Sequence, residues 1–448
     1  MKCGTYEIVI TPALGLLIPG YFEKRYAEDI LDELYGKAVL FSEGDKITGF
    51  MALDILHVRA DMVKSIRERF TLLTGKKADG IMVCATHAHT GQAIEANDEF
   101  GYPDENWVKV TCDKCADALV LAYKRMVECK IGLAKSEEHT LAFNRRYWHR
   151  DGIVYTWPGR CNPENVKPAA GIDPEFDVIR VDTLDNKPIC VITNFANHLD
   201  LIGGCKYSAD YPGAMSRKLK KMLGDNVVSL FLNGFCGDVT HINYDTTDPY
   251  PADYYITIGE KMADKVLSMY QSISTDKVNG IQYSSIVRKI PRRQPTKEMY
   301  EDGKEYIAKY NAGIQNKAEA NEDSEFEKPS TGDADLMALS YAKCNVNLYE
   351  NPILFETPEM QVIKIGDVYF NGAPGELFAD LALDFKNRSK KANNIMVNLA
   401  NGCYGYIATK KAFSEGGYEV TLDRYVNMSE DTGDIMINTL LEIQDNID

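Results

Sequence analysis

The chain has no run that approaches the roughly 20 consecutive apolar residues needed for a transmembrane helix. Its first residues, 1–7, lack both the apolar segment and the small-residue cleavage site of a secretory signal peptide. These absences predict a protein without a transmembrane segment, and we expect it in the cytoplasm.

Basic residues are also few relative to acidic ones. The chain has 50 Lys and Arg against 66 Asp and Glu, which leaves a formal net charge of −16. Proteins that bind nucleic acid along its phosphate backbone need clustered positive charge. We therefore expect no nucleic-acid partner.

The eleven cysteines are an odd number, and several, such as Cys84, Cys190 and Cys236, lie in apolar segments. This pattern is typical of reduced, buried thiols rather than of a disulfide framework. Cys112 and Cys115 form a lone CxxC motif within a helical pattern from about residue 107 to 129. With no second pair at zinc-finger spacing, we interpret this motif as structural rather than redox-active.

A three-fold internal repeat is the most informative feature of these 448 residues. Each unit contains a predicted hairpin, a polar loop, an amphipathic helix and a continuous apolar run that reads as a buried strand. The units cover about residues 38–91, 176–238 and 360–406. They predict an α/β fold of mixed, largely parallel sheets built from hairpin–helix–strand units, with helices packed outside. We expect a single domain, 1–448, with a charged helical insertion at about 291–347.

Unusual polar residues occupy the predicted strand ends of all three units. His87 and His89 follow the last strand of the first unit, His198 follows the hairpin of the second, and Glu376 follows the hairpin of the third. Ligands in such folds bind beyond the carboxyl ends of the strands, and two imidazoles with one carboxylate form a recognised catalytic zinc set. Each residue also has an ordinary interpretation: hydrogen-bonded histidines, and an acidic residue in the first turn of a helix.

The chain resembles the catalytic domain of the neutral (alkaline, non-lysosomal) ceramidases, which are zinc-dependent amidohydrolases. The resemblance rests on short motifs whose order and spacing agree: Thr86-His87-Ala88-His89-Thr90-Gly91, Asn144-Arg145-Arg146, residues 194–198, Gly237-Asp238-Val239, Pro374-Gly375-Glu376 and Tyr404-Gly405-Tyr406-Ile407. It implies a neutral-ceramidase-like catalytic domain without the C-terminal immunoglobulin-like domain of the characterised enzymes.

The resemblance also implies a ligand set. It places one Zn²⁺ per chain on His87, His198, Glu376 and Tyr406, of which the tyrosine comes from the resemblance alone. It places His89 and Arg145 beside the metal, and a serine of the family falls at the position of Gly234.

These residues predict a zinc-dependent hydrolase that cleaves an amide (N-acyl) bond of a small-molecule or lipid-like substrate with a metal-activated water. We expect His89 to carry a proton to the leaving amine and Arg145 to stabilise a developing oxyanion. Arg145 in a surface ion pair is the alternative. Asp238 is expected either to orient a ligand histidine or to have a loop-capping role.

Two other functions are consistent with the same residues. Because the family's serine falls on Gly234, the chain is alternatively a non-catalytic, metal-stabilised binding protein of this fold. A zinc hydrolase of a carbohydrate or phosphate ester is the other alternative.

Overall fold

A computed structural model describes residues 1–95, 100–313 and 334–447 of the chain. Its α-helices are α1 (Ala60–Thr74), α2 (Glu105–Lys124), α3 (Asp210–Leu223), α4 (Tyr254–Ser272), α5 (Lys297–Asn311), α6 (Ala334–Glu350), α7 (Ala379–Arg388), α8 (Lys410–Glu415) and α9 (Thr432–Asn446). Within these described residues, no helix is long and apolar enough to cross a membrane.

The longer strands form two sheets. The strands are β1 (Lys2–Val9), β2 (Tyr35–Glu43), β3 (Lys46–Leu53), β4 (Ile81–Ala85), β5 (Val127–Glu137), β6 (Glu175–Thr183), β7 (Pro188–Phe195), β8 (Val228–Asn233), β9 (Ile281–Val287), β10 (Glu359–Ile365), β11 (Val368–Gly372) and β12 (Asn393–Val397). The first sheet has eight strands in the order β8-β7-β6-β5-β1-β2-β3-β4, and the second has four in the order β9-β10-β11-β12.

The two sheets share a buried apolar core, and helices cover their other faces. Side chains of both sheets form one cluster, within which the Phe50 and Phe370 rings are 4.6 Å apart. Helices α1 to α4 pack on the eight-stranded sheet, while α7 and α9 pack on the four-stranded sheet. In α1, Met62, Ile66 and Phe70 recur at helical spacing and bury one face, as an amphipathic surface helix requires.

The predicted repeat is confirmed. Its units are β2–β3–α1–β4, β6–β7–α3–β8 and β10–β11–α7–β12, each with an antiparallel hairpin followed by a helical crossover. The mixed α/β architecture is therefore confirmed, but most pairings within the two sheets are antiparallel. Parallel pairing in these sheets occurs between β3 and β4, β7 and β8, and β11 and β12, because only the crossover helices return the chain in the same direction.

Buried asparagines tie the ends of the three crossover strands together. Asn233, the last residue of β8, donates through Nδ2 to the carbonyl oxygen of Thr86 over 3.1 Å. The backbone N–H of Asn398, directly after β12, donates to the carbonyl oxygen of Asn233 over 2.8 Å. The loops that follow β4, β8 and β12 therefore meet at one place, as the repeat predicts.

Two remaining sequence predictions concern helices. Cys112 and Cys115 are buried and free on α2, but this helix ends at Lys124, so Cys129 lies in β5 rather than in the helix. The predicted insertion contains α5 and α6, whose Tyr300 and Tyr349 rings stack at 4.4 Å. Residues 314–333, the segment between these helices, lie outside the described residues.

Candidate functional site

His87 and His198 come from different units and meet where the strand ends converge. Their Nε2 atoms are 3.0 Å apart, and both side chains are 1% exposed. His87 Nδ1 donates to the carbonyl oxygen of Leu56 over 2.8 Å, and His198 Nδ1 donates to that of Cys236 over 3.3 Å. Because both Nδ1 atoms donate to backbone carbonyls, each neutral imidazole directs its Nε2 lone pair into the space between the rings.

Glu376 adds a carboxylate oxygen to this space. Its Oε2 atom lies 3.2 Å from His87 Nε2 and 3.6 Å from His198 Nε2. Oε2 is buried and has no hydrogen-bond partner. An ionised oxygen without a partner is costly to bury, and together with two imidazoles it forms the donor set of a catalytic zinc site. The residues present therefore fit a divalent cation.

His89 belongs to the same compact group. Its Nε2 atom is 3.4 Å from His87 Nε2, and His87, His89 and His198 can offer ligand atoms that all lie within 4.8 Å of one another. His89 Nδ1 donates to the carbonyl oxygen of Gly20 over 3.1 Å. A Cβ atom at Gly20, which has a φ of 102°, would lie 2.6 Å from His89 Nδ1, so glycine permits this close approach.

The backbone at His87 is strained. Its φ of 81° lies in the left-handed region, which residues other than glycine seldom adopt. Such strain costs of order 1–3 kcal/mol and persists only where the surrounding structure enforces it. At His87, the N–H donates to the carbonyl oxygen of Ile55, and the ring is held by Leu56. The strained backbone thus directs this imidazole toward Glu376.

The charges of this group are coupled. Burial lowers the pKa of His89 to about 3, with the positive charge of His87 as the next cause. Burial, followed by Arg145, lowers the pKa of His198. At His87 burial also lowers the pKa, but Glu376, the Leu56 carbonyl and Asp200 together raise it above its usual value. At Glu376 burial raises the pKa, but His87, His198 and Arg145 together lower it below its usual value. A cation bound here would favour the neutral His87 imidazole and the ionised Glu376 carboxylate, because metal ligands bind in their deprotonated form.

Tyr406 lies beside Glu376. The two residues are register partners in a short parallel pair formed by Glu376–Leu377 and Tyr406–Ile407. Tyr406 is 7% exposed, and its ring contacts the rings of Tyr418 and Tyr425 at centroid distances of 5.5 and 5.6 Å. The fourth predicted ligand therefore lies next to the third, although they are distant in sequence.

Arg145 is buried against the histidines. Its Nη1 atom lies 3.3 Å from His198 Nε2, and its Nε atom forms an ion pair of 2.8 Å with Glu419. The guanidinium also lies over the Tyr406 ring, at 5.3 Å from the centroid. Because the Arg145 side chain is 1% exposed, the surface ion pair considered for it is wrong.

Asp238 does not have the predicted orienting geometry. Its Oδ1 atom accepts from the backbone N–H of Ala379 at the start of α7 over 2.9 Å, and Oδ2 accepts from Asn144 Nδ2 over 2.8 Å. The Nδ1 atoms of His87 and His198 are instead held by backbone carbonyls. Asp238 thus connects its loop to the first turn of α7, which agrees with the capping interpretation.

Gly234, the position of the family's serine in the resemblance, is closely packed. A Cβ atom there would lie 2.9 Å from the Cβ atom of Ala196 and 3.0 Å from its Cα and N atoms. Real Cβ atoms almost never approach so closely, so any side chain would require the loop after β7 to shift. Position 234 therefore serves the packing of these loops.

A cavity of about 180 Å³ opens beside these residues. It is bordered by Glu376, His87 and His89 and by aromatic side chains, and α6 contributes Ser340. An adjoining cavity of about 750 Å³ shares Ser340, Glu95, Arg424 and Tyr425 with the first. The second helix of the predicted insertion therefore borders the site.

Two residues at this site, Glu419 and Tyr425, were not singled out from the sequence as functional. Glu419 pairs with Arg145, and Tyr425 Oη donates to Glu376 Oε1 over 2.7 Å. Both follow the last repeat unit, in a segment of short elements where periodicity carries little information. For Tyr425, the sequence signal was the group of tyrosines after residue 400, at positions 404, 406, 418 and 425.

Solved ceramidase structures share this fold over the whole chain. Neutral ceramidase from Pseudomonas aeruginosa matches with a TM-score of 0.72 and 15% sequence identity, covering 100% of this chain and 75% of that one. A ceramidase complexed with C2 matches with a TM-score of 0.69 and 13% identity, again covering 100% and 75%. No protein-family model and no curated protein sequence matches the chain. The resemblance stated from the motifs is thus confirmed as a shared fold.

Proposed function

We propose that this protein is a zinc-dependent hydrolase that cleaves an amide (N-acyl) bond. The observation that carries the proposal is the buried Oε2 atom of Glu376, which has no hydrogen-bond partner and lies 3.2 and 3.6 Å from two imidazole Nε2 atoms. The fold shared with ceramidases supports the choice of an amide bond, since the matched structures are those of ceramidases.

His87, His198 and Glu376 would hold the metal, with Tyr406 beside Glu376 as the fourth ligand. When bound, zinc supplies a water of pKa near 7 and a Lewis acid for the carbonyl oxygen. The chain provides three buried ligand groups, and backbone carbonyls orient the two imidazoles, so these side chains need little reorganisation when the metal binds.

His89 and Arg145 would act on the substrate. His89 Nε2 lies 3.4 Å from His87 Nε2, beside the proposed metal ligands, and we assign to it the transfer of a proton to the leaving amine. Arg145 presents a fixed positive charge at a buried position, where it can stabilise negative charge that develops on the carbonyl oxygen. Its ion pair with Glu419 holds the guanidinium in place, so the position of Arg145 is preorganised before substrate binds.

The cavity supports a small-molecule or lipid-like substrate. Its aromatic walls include Tyr21, Phe22 and Phe100, and they suit an acyl chain or another apolar group. The adjoining cavity is more polar, with Arg59, Arg292 and Glu105 among its lining residues. A substrate that spans both cavities would combine an apolar part with a polar part.

The experiment is a comparison of wild-type protein with His198→Ala. We expect wild-type protein to bind one zinc per chain and to hydrolyse members of an N-acyl amide panel, and His198→Ala to lose both properties. His139→Ala is the matched control, because His139 is 63% exposed and pairs with Glu137. Retention of zinc and turnover by His198→Ala would contradict the proposal.

The same assay distinguishes the two alternatives. A zinc-loaded protein that turns over no amide or ester would be the non-catalytic binding protein. Turnover of carbohydrate or phosphate esters but not of amides would keep the metal and change the bond. Product analysis by mass spectrometry identifies which bond is broken.

A further inference from the structure

Tyr425 lies between the metal-site carboxylate and a cysteine. Its hydroxyl donates to Glu376 Oε1 over 2.7 Å, and the same oxygen lies 3.0 Å from Cys403 Sγ. A phenol has a single proton, and that of Tyr425 is donated to the carboxylate, so its oxygen accepts from the Cys403 thiol.

The position of Tyr425 is fixed by its own loop. Its backbone N–H donates to Asp423 Oδ1 over 2.7 Å, which closes a tight turn. The carbonyl oxygen of Tyr425 packs directly on Gly405, where a Cβ atom would lie only 1.5 Å away. Gly405 has a φ of 75°, which favours glycine for a second reason. The loop that carries Tyr425 is thus held against the loop that carries Tyr406.

In this arrangement the two oxygens of the Glu376 carboxylate have different contacts. Oε1 accepts from Tyr425, whereas Oε2, without a hydrogen bond, faces His87 and His198. A carboxylate held at one oxygen cannot rotate that oxygen away without losing a charge-assisted hydrogen bond. Tyr425 therefore determines which oxygen is presented to a cation.

We propose that Tyr425, supported by Cys403, is a positioning residue that holds the Glu376 carboxylate in its metal-binding orientation. This inference rests on the proposed zinc site and adds a residue that does not itself bind the metal. Hydrogen-bond partners of metal ligands typically contribute 10–100-fold to metal affinity. Tyr425 borders both cavities, so the hydrogen bond to Glu376 is formed at their boundary.

The test is the zinc dissociation constant of Tyr425→Phe, measured by competition with a chromophoric chelator. We expect binding about 10–100-fold weaker than that of wild-type protein, with stoichiometric zinc still reached at saturation. Tyr310→Phe is the matched control, since Tyr310 is exposed on α5, and its zinc affinity should equal that of wild type. Cys403→Val should give a smaller loss in the same direction, because it leaves the phenol to hold the carboxylate alone.

A readout without metal separates positioning from general damage. With zinc removed by chelation, Tyr425→Phe should still unfold in one cooperative transition, at a urea concentration lowered only by the lost hydrogen bond, so that weaker zinc binding cannot result from an unfolded variant. If wild-type protein binds zinc and Tyr425→Phe binds it equally tightly, the positioning role is overturned while the proposed function stands. If wild-type protein binds no zinc, both are overturned.

Discussion

Glu376 and Tyr406 are paired directly across two short parallel strands. The backbone N–H of Glu376 donates to the carbonyl oxygen of Gly405 over 2.9 Å, which fixes the register of this pair. Their side chains therefore begin from neighbouring backbone positions. Two of the four proposed ligands are thus placed by one element of secondary structure, and the two histidines are placed by loops of other units.

This pairing predicts the effect of removing one hydroxyl. Tyr406→Phe should retain zinc with affinity reduced about 10-fold, because three ligands remain and the ring keeps its contacts with Tyr418 and Tyr425. Chelator competition measures the affinity, and Tyr310→Phe again serves as the control. An unchanged affinity would remove Tyr406 from the ligand set.

The choice between Glu376 and His89 as the third ligand is also testable. Glu376→Gln should lose stoichiometric zinc, since it removes the charged oxygen that faces both imidazoles. His89→Ala should retain zinc and lose hydrolysis by about 10²–10⁴-fold, the range typical of a general acid–base residue. Metal analysis after gel filtration measures the bound zinc of both variants, and steady-state kinetics measures their hydrolysis. Loss of zinc from His89→Ala alone would indicate a three-histidine site instead.

Gly20 offers a way to displace His89 without changing it. Gly20→Ala would place a methyl group 2.6 Å from His89 Nδ1, so we expect a loss of at least about tenfold in kcat with zinc retained. Gly15→Ala is a matched control, because Gly15 also has a positive φ, 84°, but has no atom within 4 Å of the added Cβ. Equal kcat values for the two variants would show that the Gly20 contact does not position His89.

The buried pair of Arg145 and Glu419 should contribute strongly to stability. Glu419→Gln would leave the buried guanidinium of Arg145 without the anion that its Nε pairs with, and Arg146 with Glu415 alone; breaking a buried pair typically costs about 3–5 kcal/mol. Urea unfolding of chelated protein measures this loss. Glu137→Gln, at an exposed carboxylate, should leave the unfolding midpoint unchanged. A loss below about 1 kcal/mol for Glu419→Gln would argue against a buried pair.

Asp54 predicts a pH dependence of stability. Burial raises its pKa to about 6, above the roughly 3.9 of an unfolded chain. The folded state therefore binds the Asp54 proton more tightly than the unfolded state does. The stability that this tighter binding contributes is lost as the pH rises from about 4 to about 6. Asp54→Asn does not titrate, so its free energy of unfolding relative to wild type should rise by up to about 3 kcal/mol between pH 4 and pH 7. Urea unfolding of both chelated proteins across this range tests it, and a pH-independent difference would contradict it.

The sequence predicted the units of this fold because each is a local pattern. Alternation, helical spacing and continuous apolar runs indicate hairpins, helices and buried strands within a few tens of residues. The three units appear where these patterns placed them, and so do the loops that carry His87, His198 and Glu376. The direction of the remaining strand pairs was less predictable, since β1, β5 and β9 join the sheets antiparallel from outside the repeat.

The sequence by itself thus determined which residue types stand at the ends of which strands. Only the tertiary structure decided which of their atoms meet: that Glu376 Oε2 faces two imidazoles, that Arg145 is buried on Glu419, and that Tyr425 holds the other carboxylate oxygen. Asp238 shows the same limit, because its sequence position allowed two roles and its contacts favour one. The physical reason is that sequence periodicity is local: it indicates which face of one helix or strand is apolar. A site depends instead on distances of about 3 Å between atoms of segments that are far apart in the chain.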